Sequence, residues 1–135
     1  MSPAPTSGWA SFGLEVLRAT DFDRNRLRRA GTYAVCFGAT WCPPTQGFVP
    51  KFVRQPRTDG VTYAIGDITE MESPLWDDLS IEITPTLIVF RDGGEIARFP
   101  GRPGSGLGEA DLSALARTLG GRPAPSAPRG AGSPP

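Results

Sequence analysis

Two thiols and no imidazole bound the chemistry open to this chain: its 135 residues include Cys36 and Cys42, and histidine is absent. A Cys–His or Ser–His–Asp nucleophile is therefore excluded, as is a zinc site needing His, and no metal is expected. What remains is the thiol itself. A free cysteine with a pKa of about 8.5 is only a few per cent thiolate at neutral pH, and the thiolate is the form that attacks a disulfide sulfur. A helix N-terminus favours that form, because aligned peptide dipoles place partial positive charge there. Cys42 is followed by Pro43 and Pro44. Proline at the first helical position sacrifices no hydrogen bond, since the first N–H groups of a helix have no internal partner.

The elements that must hold Cys42 are readable on both sides of it. Upstream, Ala34 to Ala39 is a short apolar run, as expected for a strand covered on both faces. Downstream, Phe48 with Phe52 and Val49 with Val53 repeat at i,i+4, so a helix runs from the prolines to about Gln55-Pro56. Tyr33 to Val53 thus predicts a strand, a tight exposed turn and a helix, with Cys42 at the helix N-terminus.

Further out, Leu14, Val16 and Leu17 allow a first strand. Thr20 can cap a helix over about Asp21 to Ala30, with Asp21 and Asp23 near its start, Arg28 and Arg29 near its end and Gly31 as its stop. The arginines at 24, 26, 28 and 29 read as a solvated face of that helix, balanced by acidic residues. Val61, Tyr63 and Ile65 alternate as a strand ending near Asp67. Ser73-Pro74 starts a short helix with Leu75, Trp76 and Leu79 on its apolar face. Thr86 to Phe90 is a strand, and Asp92-Gly93-Gly94 turns it back over Glu95 to Phe99. The stretch Gly101 to Gly108 lacks the Lys and Ser/Thr of a phosphate-binding loop and reads as a flexible connector. Leu112, Leu115, Ala116 and Leu119 make a final amphipathic helix, stopped by Gly120-Gly121. Early alternation implies parallel strands and the late hairpin an antiparallel edge, so the fold class is α/β, a central mixed sheet flanked by helices. The domain is expected over residues 11–120, between a flexible tail at 1–10 and a disordered Pro/Gly/Ala/Ser-rich tail at 121–135. Trp9 and Trp76 are assigned to packing.

With 14 basic and 14 acidic residues the formal net charge is zero, which gives no reason to expect nucleic acid or an anionic membrane as partner. No apolar run is long enough to span a bilayer. Met1 to Ser11 has neither the basic patch nor the apolar core of a secretory signal, so a reducing, cytoplasmic setting with free cysteines is expected.

The segment Ala39-Thr40-Trp41-Cys42-Pro43-Pro44-Thr45 resembles the active site of the thioredoxin family, whose usual form is Trp-Cys-Gly-Pro-Cys. Pro50 falls where that family carries a proline in the following helix. Ile83-Thr84-Pro85-Thr86-Leu87 resembles its cis-proline segment, and Gly101 matches a glycine after its last strand. The similarity covers roughly Leu14 to Leu119 and implies a thioredoxin-like fold. It also implies that Trp41, Pro43 and Pro44 shape the site, that Pro85 is a cis-proline, and that the Thr84 backbone pairs with a bound peptide beside Cys42. The partners implied are proteins or peptides bearing disulfides or thiols. The departure lies at Thr45, where the family has its second cysteine. A threonine hydroxyl cannot resolve a mixed disulfide; it can donate a hydrogen bond to the Cys42 thiolate. No cofactor is expected, but a single-cysteine cycle needs glutathione or another thiol as co-substrate. Cys36 occupies the position of a buried family acid. It reads as core, with a lesser role as resolving thiol for Cys42 left open. A peroxiredoxin-type cysteine would have threonine where Ala39 stands, and the glutaredoxin Cys-Gly-Phe-Ser turn is replaced by stiffer Cys-Pro-Pro-Thr. Two functions follow: monothiol thiol–disulfide exchange through Cys42, or a non-catalytic thioredoxin-fold module that binds peptides or proteins.

Overall fold

Thr32–Gly38, seven residues that include the strand formers Thr32, Tyr33, Val35 and Phe37, make the central strand β4, and five of them are buried. The structure, a computed structural model, describes Trp9 and residues 12–120. In chain order its elements are β1 (Glu15–Leu17), a 3₁₀ turn (Ala19–Asp21), β2 (Phe22–Asp23), β3 (Arg26–Leu27), β4, α1 (Pro43–Arg54), β5 (Val61–Asp67), α2 (Leu75–Asp78), β6 (Thr86–Arg91), β7 (Gly94–Phe99) and α3 (Glu109–Thr118). The main sheet has the order β1-β5-β4-β6-β7. β5 runs parallel to both β1 and β4, while β6 and β7 are antiparallel additions. Parallel neighbours need crossovers, which the 3₁₀ turn with its hairpin and then α1 supply. The β6–β7 turn places Asp92 at φ 48° and Gly93 at φ 91°, the paired positive values that a two-residue hairpin favours.

Two apolar layers sandwich the sheet. On one face Phe48, Val49 and Phe52 of α1 and Leu115 of α3 pack on Ala34, Cys36, Ile65, Leu87 and Val89. Trp9 is buried in this layer, consistent with its packing assignment. The rest of the expected tails, residues 1–8, 10 and 121–135, lies outside the described residues. On the other face Leu75 of α2 and Leu79 at its C-cap join Val35, Phe37, Ile88 and Phe90.

Two expectations are corrected. Residues 21–30 are not a helix: Phe22 and Leu27 face each other across the small β2–β3 hairpin, and both rings and branches enter the second layer. Their spacing of five cannot lie on one helical stripe, and burying both in that layer outweighs a charge distribution that would have suited a helix dipole. The arginines fasten the hairpin instead. Arg26 donates to the Asp92 carbonyl at 3.1 Å, Arg28 to the Phe22 carbonyl at 3.2 Å, and Arg29 pairs with Glu15 and Asp21. Gly31, at φ 87°, turns the chain into β4 rather than ending a helix. Nor is Gly101 to Gly108 a loose connector. Arg102 and Gly106 bond each other through their backbones, Arg102 pairs with Asp111 at 2.8 Å, and Leu107 is buried.

Candidate active site at the β4–α1 junction

β4 ends at Gly38, and the chain turns through Ala39 to Cys42, whose N–H donates to the Ala39 carbonyl at 3.1 Å. Cys42 is the N-cap of α1, with extended backbone at φ −95° and ψ 115°. Pro43 and Pro44 fill the first two helical positions, so Thr45 is the first residue of the helix with an N–H. Pro50 is accommodated within α1.

The expectation of an exposed cysteine needs correction. Trp41 is the exposed member of the turn, at 50% of its possible surface, while Cys42 keeps only 7%. Residues distant in sequence cover the sulfur. The Thr84–Pro85 peptide is cis, and Thr84 is brought against Cys42. The Thr84 hydroxyl donates to Cys42 Sγ at 3.0 Å, and the thiol faces the Thr84 carbonyl at 3.5 Å. Pro85 and Thr84 are both buried. Trp41 is anchored through its indole Nε1, which donates to the Thr69 carbonyl at 2.8 Å. The Thr40 N–H donates to the Thr69 hydroxyl at 3.0 Å, and that hydroxyl donates to Asp67 at 2.6 Å. The end of β5 therefore braces the turn.

The loop after β7 completes the surroundings. The Thr86 hydroxyl donates to the Ile83 carbonyl and accepts from the Gly101 N–H, tying that loop to the cis-proline segment. Gly106, at φ 68°, lies so close to two prolines of the site that a Cβ there would stand 2.8 Å from Pro44 and 2.9 Å from Pro85. Side chains at that position are excluded by contact and by backbone conformation alike.

Burial alone would push the Cys42 thiol up. The Thr45 hydroxyl, the Thr84 hydroxyl and the Thr45 N–H act against it, and the balance falls below the ordinary cysteine value. Neither Thr45 group makes a capping bond of ordinary geometry: α1 has no side-chain cap, and Thr45 Oγ1 is buried without a hydrogen-bond partner. Their influence is that of donors held near the sulfur. The formed bond is the one from Thr84.

Cys36 is in the middle of β4, fully buried on the face toward α1, and burial drives its thiol well above the ordinary range. Both cysteines are free thiols. Among the described residues no cluster of His, Cys, Asp and Glu could hold a metal ion.

The structure thus brings Trp41, Cys42, Pro43, Pro44, Thr45, Thr84 and Pro85 together and keeps Cys36 in the core. Sequence reasoning assigned Thr84 only a backbone role. Its side-chain bond to Cys42 carried no sequence signal, since Thr86 on the other side of Pro85 turns its hydroxyl to Ile83 and Gly101 instead. The Asp67–Thr69 brace carried none either.

A thiol at a helix N-terminus beside a cis-proline, on a mixed sheet with this strand order, defines a thioredoxin-fold thiol site. The thioredoxin family model matches residues 13–110, and the chain belongs to the thioredoxin family. Among solved structures it is similar to thioredoxin f2 of Chlamydomonas reinhardtii, with 24% identity over 82% of this chain and 99% of that one and a TM-score of 0.65. It is also similar to mitochondrial thioredoxin 3 of Saccharomyces cerevisiae, with 23% identity over 81% and 99% and a TM-score of 0.63. No curated protein matches the chain. Family membership points to thiol–disulfide chemistry on protein substrates. No helix among the described residues is long and apolar enough to cross a membrane.

Proposed function

We propose that this protein carries out thiol–disulfide exchange with Cys42 as its single working thiol. The observation that carries the reading is the 3.0 Å hydrogen bond from Thr84 to the sulfur of the residue at the α1 N-cap position. A core cysteine has no use for a donor aimed at it, whereas a thiolate does. In the cycle, Cys42 thiolate attacks one sulfur of a substrate disulfide and forms a mixed disulfide, releasing the other sulfur as thiolate. Thr45 cannot complete the reaction, and Cys36 is buried in the core, so an outside thiol such as glutathione attacks the substrate sulfur and frees Cys42, and a second glutathione then reduces the resulting substrate–glutathione disulfide and leaves as oxidised glutathione. The substrate is an extended protein or peptide segment seated against Thr84 and Pro85, with Trp41 exposed beside it. A reducing, cytoplasmic setting suits two unpaired thiols and belongs to the same proposal.

Reduction of insulin disulfides with glutathione or dithiothreitol as electron donor tests this directly. Wild type should accelerate the reaction and Cys42→Ser should not. Equal rates would instead favour a module that binds peptides without chemistry, a reading that the near-burial of Cys42 keeps in play.

A further inference from the structure

The residue standing where the family has its second cysteine has an unused donor. Thr45 is fully buried, and its Oγ1 has no hydrogen-bond partner. Leaving a buried hydroxyl unsatisfied is unfavourable, and valine would fill the same space without that penalty. The surroundings are fitted to a branched side chain, so the hydroxyl itself has no packing reason to be there. Gly38 lacks the Cβ that would collide with the Thr45 methyl, and Oγ1 lies 3.2 Å from where that Cβ would be. Pro43 and Pro44 have removed the first two amide donors of α1. At this helix N-terminus the nearest donors to the sulfur on the helix itself are therefore those of Thr45.

We propose that the Thr45 hydroxyl is held in reserve for negative charge on Cys42 Sγ, donating to the sulfur as it leaves a mixed disulfide. The inference rests on the redox reading above and assigns Thr45 a part in its second half. In that step an external thiolate attacks the substrate sulfur of the adduct. The bond between that sulfur and Cys42 breaks, a new S–S bond forms between external thiol and substrate, and the electron pair of the broken bond stays on Cys42 Sγ. No proton has to move. A donor that is idle in the thiol and disulfide states and engaged when Sγ is anionic stabilises the transition state selectively. Thr84 differs, because its hydroxyl is already bonded to the sulfur at rest. On this view Thr45 replaces the resolving thiol of a dithiol site with an aid to departure: it makes Cys42 a better leaving group for an outside thiol.

The test uses the full chain as wild type, Thr45→Val and Thr45→Ser. Oxidised glutathione first converts Cys42 to its glutathione adduct, and release by dithiothreitol is followed by intact mass. Thr45→Val should slow release by about fivefold, the effect of one hydrogen bond to a charged group tempered by partial charge development. It should also move the pH midpoint of iodoacetamide alkylation of Cys42 upward. Its Tm should stay level or rise by up to about 4 °C, because a buried unsatisfied group has gone. Thr45→Ser should return the release rate to within about twofold of wild type. Thr45→Val releasing glutathione as fast as wild type, or Thr45→Ser as slow as Thr45→Val, overturns the assignment. None of these readings needs a natural substrate. Failure of wild type in the insulin assay would therefore overturn the redox proposal, while the donor role would stand or fall separately on the alkylation midpoint.

Discussion

Cys36 and Cys42 sit at two ends of one short stretch, the middle of β4 and the cap of α1, and both are buried. Their thiols are nonetheless driven in opposite directions, Cys36 upward and Cys42 downward. Low exposure alone therefore does not set the direction; how deeply each thiol lies and which donors reach it do. Cys36 belongs to an apolar cluster of sheet and helix side chains, and burial acts on its thiol unopposed. Cys42 lies less deep, and there a burial penalty is also present but is exceeded by donors, among them a hydroxyl supplied from the cis-proline segment.

The comparison breaks most visibly if both thiols react alike. In the native protein iodoacetamide should modify Cys42 and leave Cys36 untouched over hours, with both modified in denaturant. Cys36→Ala should retain mixed-disulfide formation and Cys42→Ser should lose it. Equal labelling of the two in the folded state would remove the distinction altogether.

The next effect separates the two by their influence on stability. For Cys36 the folded-state value lies above the unfolded one, which is about 8.5, so above that pH the unfolded chain has lost a proton that the folded chain keeps. Folding then weakens as pH rises, by up to about 1.4 kcal/mol per pH unit from this group. Cys42 has the opposite sign. Its folded-state value is depressed, so its contribution is present above the unfolded value and is lost as pH falls through the folded one. Denaturant titrations from pH 8 to 10 should show Cys36→Ala with a flatter alkaline decline than wild type. Parallel curves would mean that Cys36 is not sealed in the folded state.

The smallest effect isolates the Thr84 donor. Thr84→Val should move the alkylation midpoint of Cys42 to higher pH. The rate at pH 7 should fall by only about threefold, because a more basic thiolate is also a better nucleophile. An unmoved midpoint would leave the 3.0 Å contact without electrostatic consequence.

Much of this architecture was legible because its signals are local. The apolar run of β4, the paired prolines at the start of α1, the i,i+4 repeats within it and the Asp92-Gly93 turn each specify their own element. Residues 21–30 misled for the same reason. Acids early and arginines late looked like a helix, whereas Phe22 and Leu27 were committed to a layer built from β4 and, far away in sequence, α2 and β6. The loop at 101–108 misled too, since Gly106 is needed for close contact with Pro44 and Pro85 and Gly101 for close contact with the Pro85 carbonyl, rather than for freedom.

By itself the sequence determined that a cysteine would cap a helix after a buried strand, with threonine where a second thiol would resolve its adducts. These facts depend on neighbours within a few residues, where backbone sterics and side-chain periodicity act. Only the tertiary structure decided what surrounds that sulfur. Thr84 reaches it from 42 residues away, Gly106 closes on the prolines from the far end of the domain, and Cys42 is nearly covered rather than exposed. The physical reason is that a thiol's ionisation is set by the dipoles and donors that packing brings within hydrogen-bonding distance, and those come from whichever segments the sheet order makes neighbours.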